Sequence, residues 1–164
     1  MLFRSLLALN GIGIVVLAPL AGRLWRRWRE RGHALGFAAQ FAIAFLIMGA
    51  AHFVMLWGFR DPSPESVSLL WPAGAILIIT VAEALWWPSS YNALDRLAPV
   101  HQKSLIMGVW LAMLGIGQFL AHQIARSAEL LGFAMLSGLI GSALCLAGLA
   151  LWSISRAHPQ LRQV

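Results

Sequence analysis

Residues 66–94 read SVSLLWPAGAILIITVAEALWWPSSYNAL, and Glu83 is the one charged side chain among them. A helix crosses the hydrocarbon core of a bilayer with about 20 apolar residues, so this run predicts a spanning helix over about 68–94. Glu83 lies eleven residues after Pro72 and twelve before Asp95, near the middle of that span. A charged side chain at a helix centre costs about 2.5–3.5 kcal/mol on insertion scales. Such a residue is therefore expected to face protein or a water-filled cavity rather than lipid. Thr80, Glu83, Trp87 and Ser90 recur at helical spacing and are expected to share that face. The plainer alternative is a carboxyl that hydrogen-bonds to a neighbouring helix for packing alone. Pro88 withholds a backbone donor, which predicts a kink or an early end to the helix.

Four more runs surround this one. They predict spans at about 5–22, 34–58, 104–125 and 130–155, giving an all-α integral membrane protein of about five helices in a single transmembrane domain over 1–164. Composition agrees, because 60% of the 164 residues are hydrophobic and 11% are charged. A soluble domain carries roughly a quarter charged residues, so lipid has to cover the surplus apolar surface. The net charge of +6 invites a nucleic-acid partner, but the basic residues sit in short segments between uncharged runs. That is the pattern of membrane loops, so no nucleic-acid binding is expected. Phosphate-binding loops, metal-ligand clusters and nucleophile triads are missing from the sequence, so no enzyme activity, cofactor or metal is expected. Cys145, the single cysteine, lies within an apolar run and reads as a packing residue.

Lys and Arg set the orientation. If the segment Arg23–His33 is a cytoplasmic loop, nine basic residues lie inside (Arg23, Arg26, Arg27, Arg29, Arg31, Arg96, Lys103, Arg156, Arg162) and three outside (Arg4, Arg60, Arg126). The N-terminus is then outside and the C-terminus cytoplasmic, in a multi-pass protein of a cell inner membrane. A cleaved leader over the first run would invert this count. The segment FRDPSPES at 59–66 reads as an extracytoplasmic turn. Trp25, Trp28 and Trp152 mark one interface, and Trp57 and Trp71 the other.

Other positions stand out less. Asn10, inside the first span, needs a hydrogen-bond partner, either another helix or a ligand. His52 and His122, each near a helix end, read as interfacial packing residues. Trp110 lies about 9 Å inside the fourth helix from Ser104, at 1.5 Å per residue. Pro19 is expected to kink the first helix. Two sets of small residues, Ala134–Gly138–Ser142 and Gly108, Gly115 and Gly117, are expected to let helices approach closely.

Three stretches together resemble the proton-dependent oligopeptide transporters (POT) of the major facilitator superfamily. AEALWWPSSYNALDRLAP at 82–99 and HQKSLIMGVWLAMLGIGQ at 101–118 are similar to the family's tenth and eleventh helices through Glu83, Pro88, Leu97–Pro99, Met107, Gly108 and Trp110. ALNGIGIVVLAPLAGRLW at 8–25 resembles the eighth helix through Asn10, Pro19 and Leu24–Trp25. Three departures stand out: Asn10 is followed by Gly11 where the family has Pro, Ala82 replaces Gly, and Trp87 replaces the Ser of Ser-Pro-x-Gly.

The resemblance implies helices eight to twelve only, a partial C-terminal half of a major-facilitator fold without the seventh helix or the first half. It implies a peptide cavity lined by Asn10, Glu83 and Trp110. Glu83 would hold the peptide amino end and take part in proton coupling, and Trp110 would form an apolar wall. The implied partners are a di- or tripeptide, a proton, the lipid bilayer, and the missing N-terminal helices or another membrane chain. The activity is proton-coupled peptide symport by alternating access, expected to fail without the missing helices. Two rival readings are a non-transporting membrane protein derived from a transporter half and a carrier of the same superfamily for another solute.

Overall fold

The computed structural model describes residues 2–32, 35–60 and 68–157, without the side chains of 2–7, 9 and 29. The described residues form helices and turns and no strand: α1 Leu2–Glu30, α2 Phe37–Gly58, α3 Leu70–Leu97, a 3-10 turn Val100–Gln102, α4 Lys103–Arg126, a single turn α5 Ala128–Leu131, and α6 Phe133–Ala157. Among these residues four stretches are long and apolar enough to cross a membrane: Phe37–Gly58, Leu70–Leu97, Val100–Leu131 and Phe133–Ala157.

Several boundaries differ from the expectations. The arginine-rich segment after residue 22 is helix rather than loop, because α1 continues through Glu30. RLWRRWRE has no glycine or proline to stop it, and cationic side chains near a helix C-terminus favour its dipole. The chain leaves the helix at Gly32, whose φ of +79° suits glycine. The span expected at 130–155 begins later, at Phe133, because Gly132 (φ +81°) separates α5 from α6. The turn expected at 59–66 falls mostly outside the described residues.

Pro88 does not end α3, which runs nine residues beyond it to Leu97. The two residues after the proline help to sustain the helix. Ser89 Oγ donates to Leu85 O at 2.9 Å and Ser90 Oγ to Trp86 O at 2.8 Å. The carbonyl that Pro88 leaves without its N–H is that of Ala84; the two hydroxyls add bonds to the carbonyls that follow it, and side-chain bonds of this kind help membrane helices tolerate a proline.

Small residues hold the bundle together. Among the described residues, nine of the eleven buried hydrophobic ones are alanines, while large side chains such as Val15, Leu70 and Leu146 face outward. A lipid-facing exterior gives no hydrophobic drive between helices, so close backbone approach has to supply the dispersion energy. The α2–α6 pair shows this best. A Cβ on Gly49 would meet Cys145 Sγ at 2.6 Å, one on Gly141 would meet Gly49 O at 3.2 Å, and one on Gly148 would meet Ala42 O at 3.1 Å. These pairs run antiparallel, as do Gly58–Trp71 and Gln40–Ser89 between α2 and α3.

The contact stripe on α6 is therefore Ser137, Gly141 and Gly148, with Cys145 alongside, rather than the expected Ala134–Gly138–Ser142. Gly138 meets only Leu56, at ordinary distance, and Ser142 is exposed. The expected stripe lies about 100° around the helix from the observed one, a rotation that sequence spacing alone does not fix. Gly108, Gly115 and Gly117 also fail as contact points, since nothing lies within 4 Å of a Cβ built on any of them. The helix that bears them, α4, has no buried residue. It stands off from α2 and α6 across an apolar cavity of about 440 Å³ lined by residues including His52, Ile76, Ile124 and Phe133.

Candidate functional site

The site begins with the polar residues that the apolar helices must accommodate. Asn10 on α1 and Glu83 on α3 meet, and Asn10 Nδ2 donates to Glu83 Oε2 at 3.1 Å. The other end of the amide is also satisfied, because Thr80 Oγ1 donates to Asn10 Oδ1 at 2.6 Å. The same hydroxyl lies 2.7 Å from Ile76 O, so its one proton is shared between two acceptors. These partners also fix the amide orientation: the NH2 faces the carboxyl and the carbonyl faces the hydroxyl.

Local sequence explains why the three residues can meet. Thr80 and Glu83 are three apart, so one turn of α3 presents both to α1. On α1, Gly13 lies one turn after Asn10, and a Cβ there would sit 2.6 Å from Thr80 Cγ2. The missing side chain lets α1 approach closely enough for Asn10 to reach across. Thr80 is fully buried, whereas Glu83 is only partly buried. Glu83 has no cationic partner among the described residues, where Lys103 pairs with Asp95 instead. It is a half-open carboxyl, oriented by one amide donor and with acceptor capacity to spare.

Trp110, expected to share this wall, lies further along. Its ring packs on Trp86, with centroids 5.8 Å apart. The cavity it lines, about 250 Å³, includes Phe41, Ser90, Leu94 and Ile106 but neither Asn10 nor Glu83. Its indole N–H is buried without a hydrogen-bond partner. Trp86 is the intermediary: it lies one turn after Glu83, contacts Trp110, and tilts against Trp87 at 4.8 Å. The face expected from spacing divides accordingly. Thr80 and Glu83 turn to Asn10, Ser90 lines the Trp110 cavity, and Trp87 stacks on Tyr91 at 5.9 Å.

Two features escaped the sequence reading. Trp86 had a signal in the Trp-Trp pair, but periodicity favoured Trp87. Gln40 interrupts an apolar run and so needs a partner; its NH2 donates to Leu35 O at 2.8 Å and its carbonyl accepts from Ser89 Oγ, whose one proton is shared with Leu85 O. His52 lines the larger cavity rather than simply packing at an interface, and His122 is exposed.

No family model matches the chain. Two curated relatives do: a di-/tripeptide transporter of Lactococcus lactis subsp. lactis, 27% identical over 137 residues, and one of Lactococcus lactis subsp. cremoris, 26% identical over 137 residues. Each match covers 81% of this chain and 27% of the relative, so the chain spans about a quarter of their length. Among solved structures, a POT family transporter in complex with a thioalcohol-conjugated peptide aligns with a TM-score of 0.81 at 20% identity, over 93% of this chain and 30% of that one. A POT peptide transporter with a glutamate-to-glutamine mutation, in complex with sulfate, aligns with a TM-score of 0.81 at 24% identity, over 93% of this chain and 31% of that one.

Fold and relatives define the class: an all-helical, multi-pass membrane protein with part of a major-facilitator transporter fold. Within that class the chain resembles the POT family, in sequence and in structure, and it spans between about a quarter and a third of the length of the POT proteins it matches.

Proposed function

We propose that this chain is the C-terminal part of a proton-coupled di- or tripeptide symporter of a bacterial inner membrane. It contributes five spans, α1, α2, α3, α4 and α6, to a carrier that works by alternating access. The observation that carries the reading is the Asn10–Glu83–Thr80 network, a partly buried carboxyl near the middle of α3, oriented by an amide and without a cation beside it among the described residues. A peptide brings an ammonium group that complements such a carboxyl, and a proton can take its place when the peptide leaves. Intramembrane acids in this setting are costly and mark substrate or proton pathways. Trp110 and Trp86 extend the wall with apolar surface on which a peptide side chain can lie. The relatives are di-/tripeptide transporters, which supports the substrate class.

The helices present supply one wall of a carrier cavity, and alternating access needs two halves that move against each other. The chain alone is therefore expected to insert into lipid without concentrating peptide. The test is made in the complete transporter, with the remaining helices supplied. Glu83→Gln should retain expression and insertion but abolish dipeptide accumulation driven by an imposed proton gradient in proteoliposomes. Uptake at the wild-type level in that variant would reduce Glu83 to a packing residue and remove the basis of the proposal.

A further inference from the structure

α1 ends in a feature that the transport reading does not use. Arg23, Arg27 and Arg31 follow one another at intervals of four, so they form a stripe along its last turns, with Arg26 beside them. All four are exposed, and none has an ion-pair partner among the described residues. Glu30, also exposed, is the one acidic residue of this segment. A second stripe, also at intervals of four, runs next to the first: Leu20 is 49% exposed, Leu24 42% and Trp28 38%. Trp28 is held edge-on by Trp25, with centroids 5.6 Å apart. The two stripes are about 60° apart around the helix, given 100° per residue. One surface of α1 thus offers cations and large apolar groups side by side.

We infer that this surface binds anionic phospholipid, with the arginines on the phosphates and Leu20, Leu24 and Trp28 against the glycerol and upper acyl chains. The inference rests on the reading of α1 as a membrane-spanning helix. Charge complementarity selects the occupant. The surface is strongly cationic at the level where a spanning helix leaves the hydrocarbon, and clusters of Lys and Arg there attract anionic headgroups. Guanidinium groups match phosphate oxygens in a planar, two-pronged geometry that lysine does not reproduce. The exposed leucines and Trp28 distinguish a lipid from a soluble phosphate, because a headgroup alone would leave them uncovered. Trp also favours this depth, where its ring is half in lipid.

The test uses the full chain in detergent with equal amounts of phosphatidylglycerol and phosphatidylcholine, with bound lipid counted by native mass spectrometry. Phosphatidylglycerol should bind preferentially. At about fivefold per arginine, Arg23→Gln, Arg27→Gln and Arg31→Gln together should weaken it by roughly a hundredfold. Arg60→Gln, at the far end of α2, should leave it unchanged. Soluble glycerol phosphate should fail to displace the lipid. Equal binding of the two lipids, or an unchanged triple variant, would overturn the inference. Displacement by glycerol phosphate at the lipid's own concentration would overturn it as well, by making the site one for soluble phosphate. Each of these failures would leave the transporter reading standing, since none touches Glu83 or the helix bundle.

Discussion

Adding one methyl group to α1 should uncouple Asn10 from Glu83. In Gly13→Ala the new Cβ would lie 2.6 Å from Thr80 Cγ2. Ordinary carbon contacts begin at about 3.5 Å, so α1 and α3 must separate by about 0.9 Å or Thr80 must rotate. Separation lengthens the 3.1 Å bond from Asn10 Nδ2 to Glu83 Oε2 to about 4 Å, beyond hydrogen-bonding range. Rotation instead swings the Thr80 hydroxyl away from Asn10 Oδ1, which it reaches at 2.6 Å. Separation breaks the Asn10–Glu83 bond directly, and rotation removes the hydroxyl that holds the Asn10 amide turned toward Glu83. Overpacking costs about 1–3 kcal/mol, and replacing glycine by alanine in a helix returns up to about 1 kcal/mol. The net loss of stability should therefore be at most about 3 kcal/mol, or about 2 kcal/mol where the helix gain is realised in full.

The decisive quantity is the coupling, measured by SDS-driven unfolding in mixed micelles. A double-mutant cycle of Asn10→Ala with Glu83→Ala should give between about 0.6 and 1.7 kcal/mol, from the average to the maximum for interhelical hydrogen bonds in membranes. The same cycle in the Gly13→Ala background should give close to zero. An undiminished coupling there would show that the close approach at Gly13 does not hold the pair together, and the account of the site would fail.

Three further outcomes follow from the packing and the charge pattern. Gly141→Leu should destabilise the α2–α6 pair by about 1–3 kcal/mol or more, because Gly49 O and His52 Cβ occupy that space; Ser142→Leu, on the exposed side, should lie within about 0.5 kcal/mol of wild type in the same unfolding assay. In a Cys145→Ser background, a cysteine at Ser63 should be labelled by a membrane-impermeant maleimide on intact cells and one at Gln160 should be protected, and the reverse pattern would invert the proposed topology. The purified chain in proteoliposomes should accumulate no dipeptide under a proton gradient, with uptake restored when the missing helices are co-reconstituted. Accumulation by the chain alone, abolished by a protonophore, would show a self-assembling transporter instead.

The sequence by itself determined the class of this protein. Long runs broken by few charges leave a chain no alternative to lipid, and the block from Glu83 to Trp110 carried the resemblance that fold and relatives bear out. It also singled out Asn10 and Glu83, because a polar group inside an apolar helix must find a partner. Only the tertiary structure decided which partner. Residues 73 positions apart become hydrogen-bonded through the absence of a side chain at Gly13, and no periodicity within one helix reports a contact between two. For the same reason the small-residue stripes were misplaced. Several faces of α6 carry glycine, serine or alanine, and the rotation about its axis that chooses Gly141 and Gly148 is set by the shape of α2. Trp110 was placed at the right depth in its helix, but its neighbours were not legible. α4 stands off from α2 and α6, and the Trp110 ring reaches Trp86 and a separate cavity instead of the carboxyl. Local composition fixes how a segment meets lipid, whereas contacts between segments depend on how several helix surfaces fit at once.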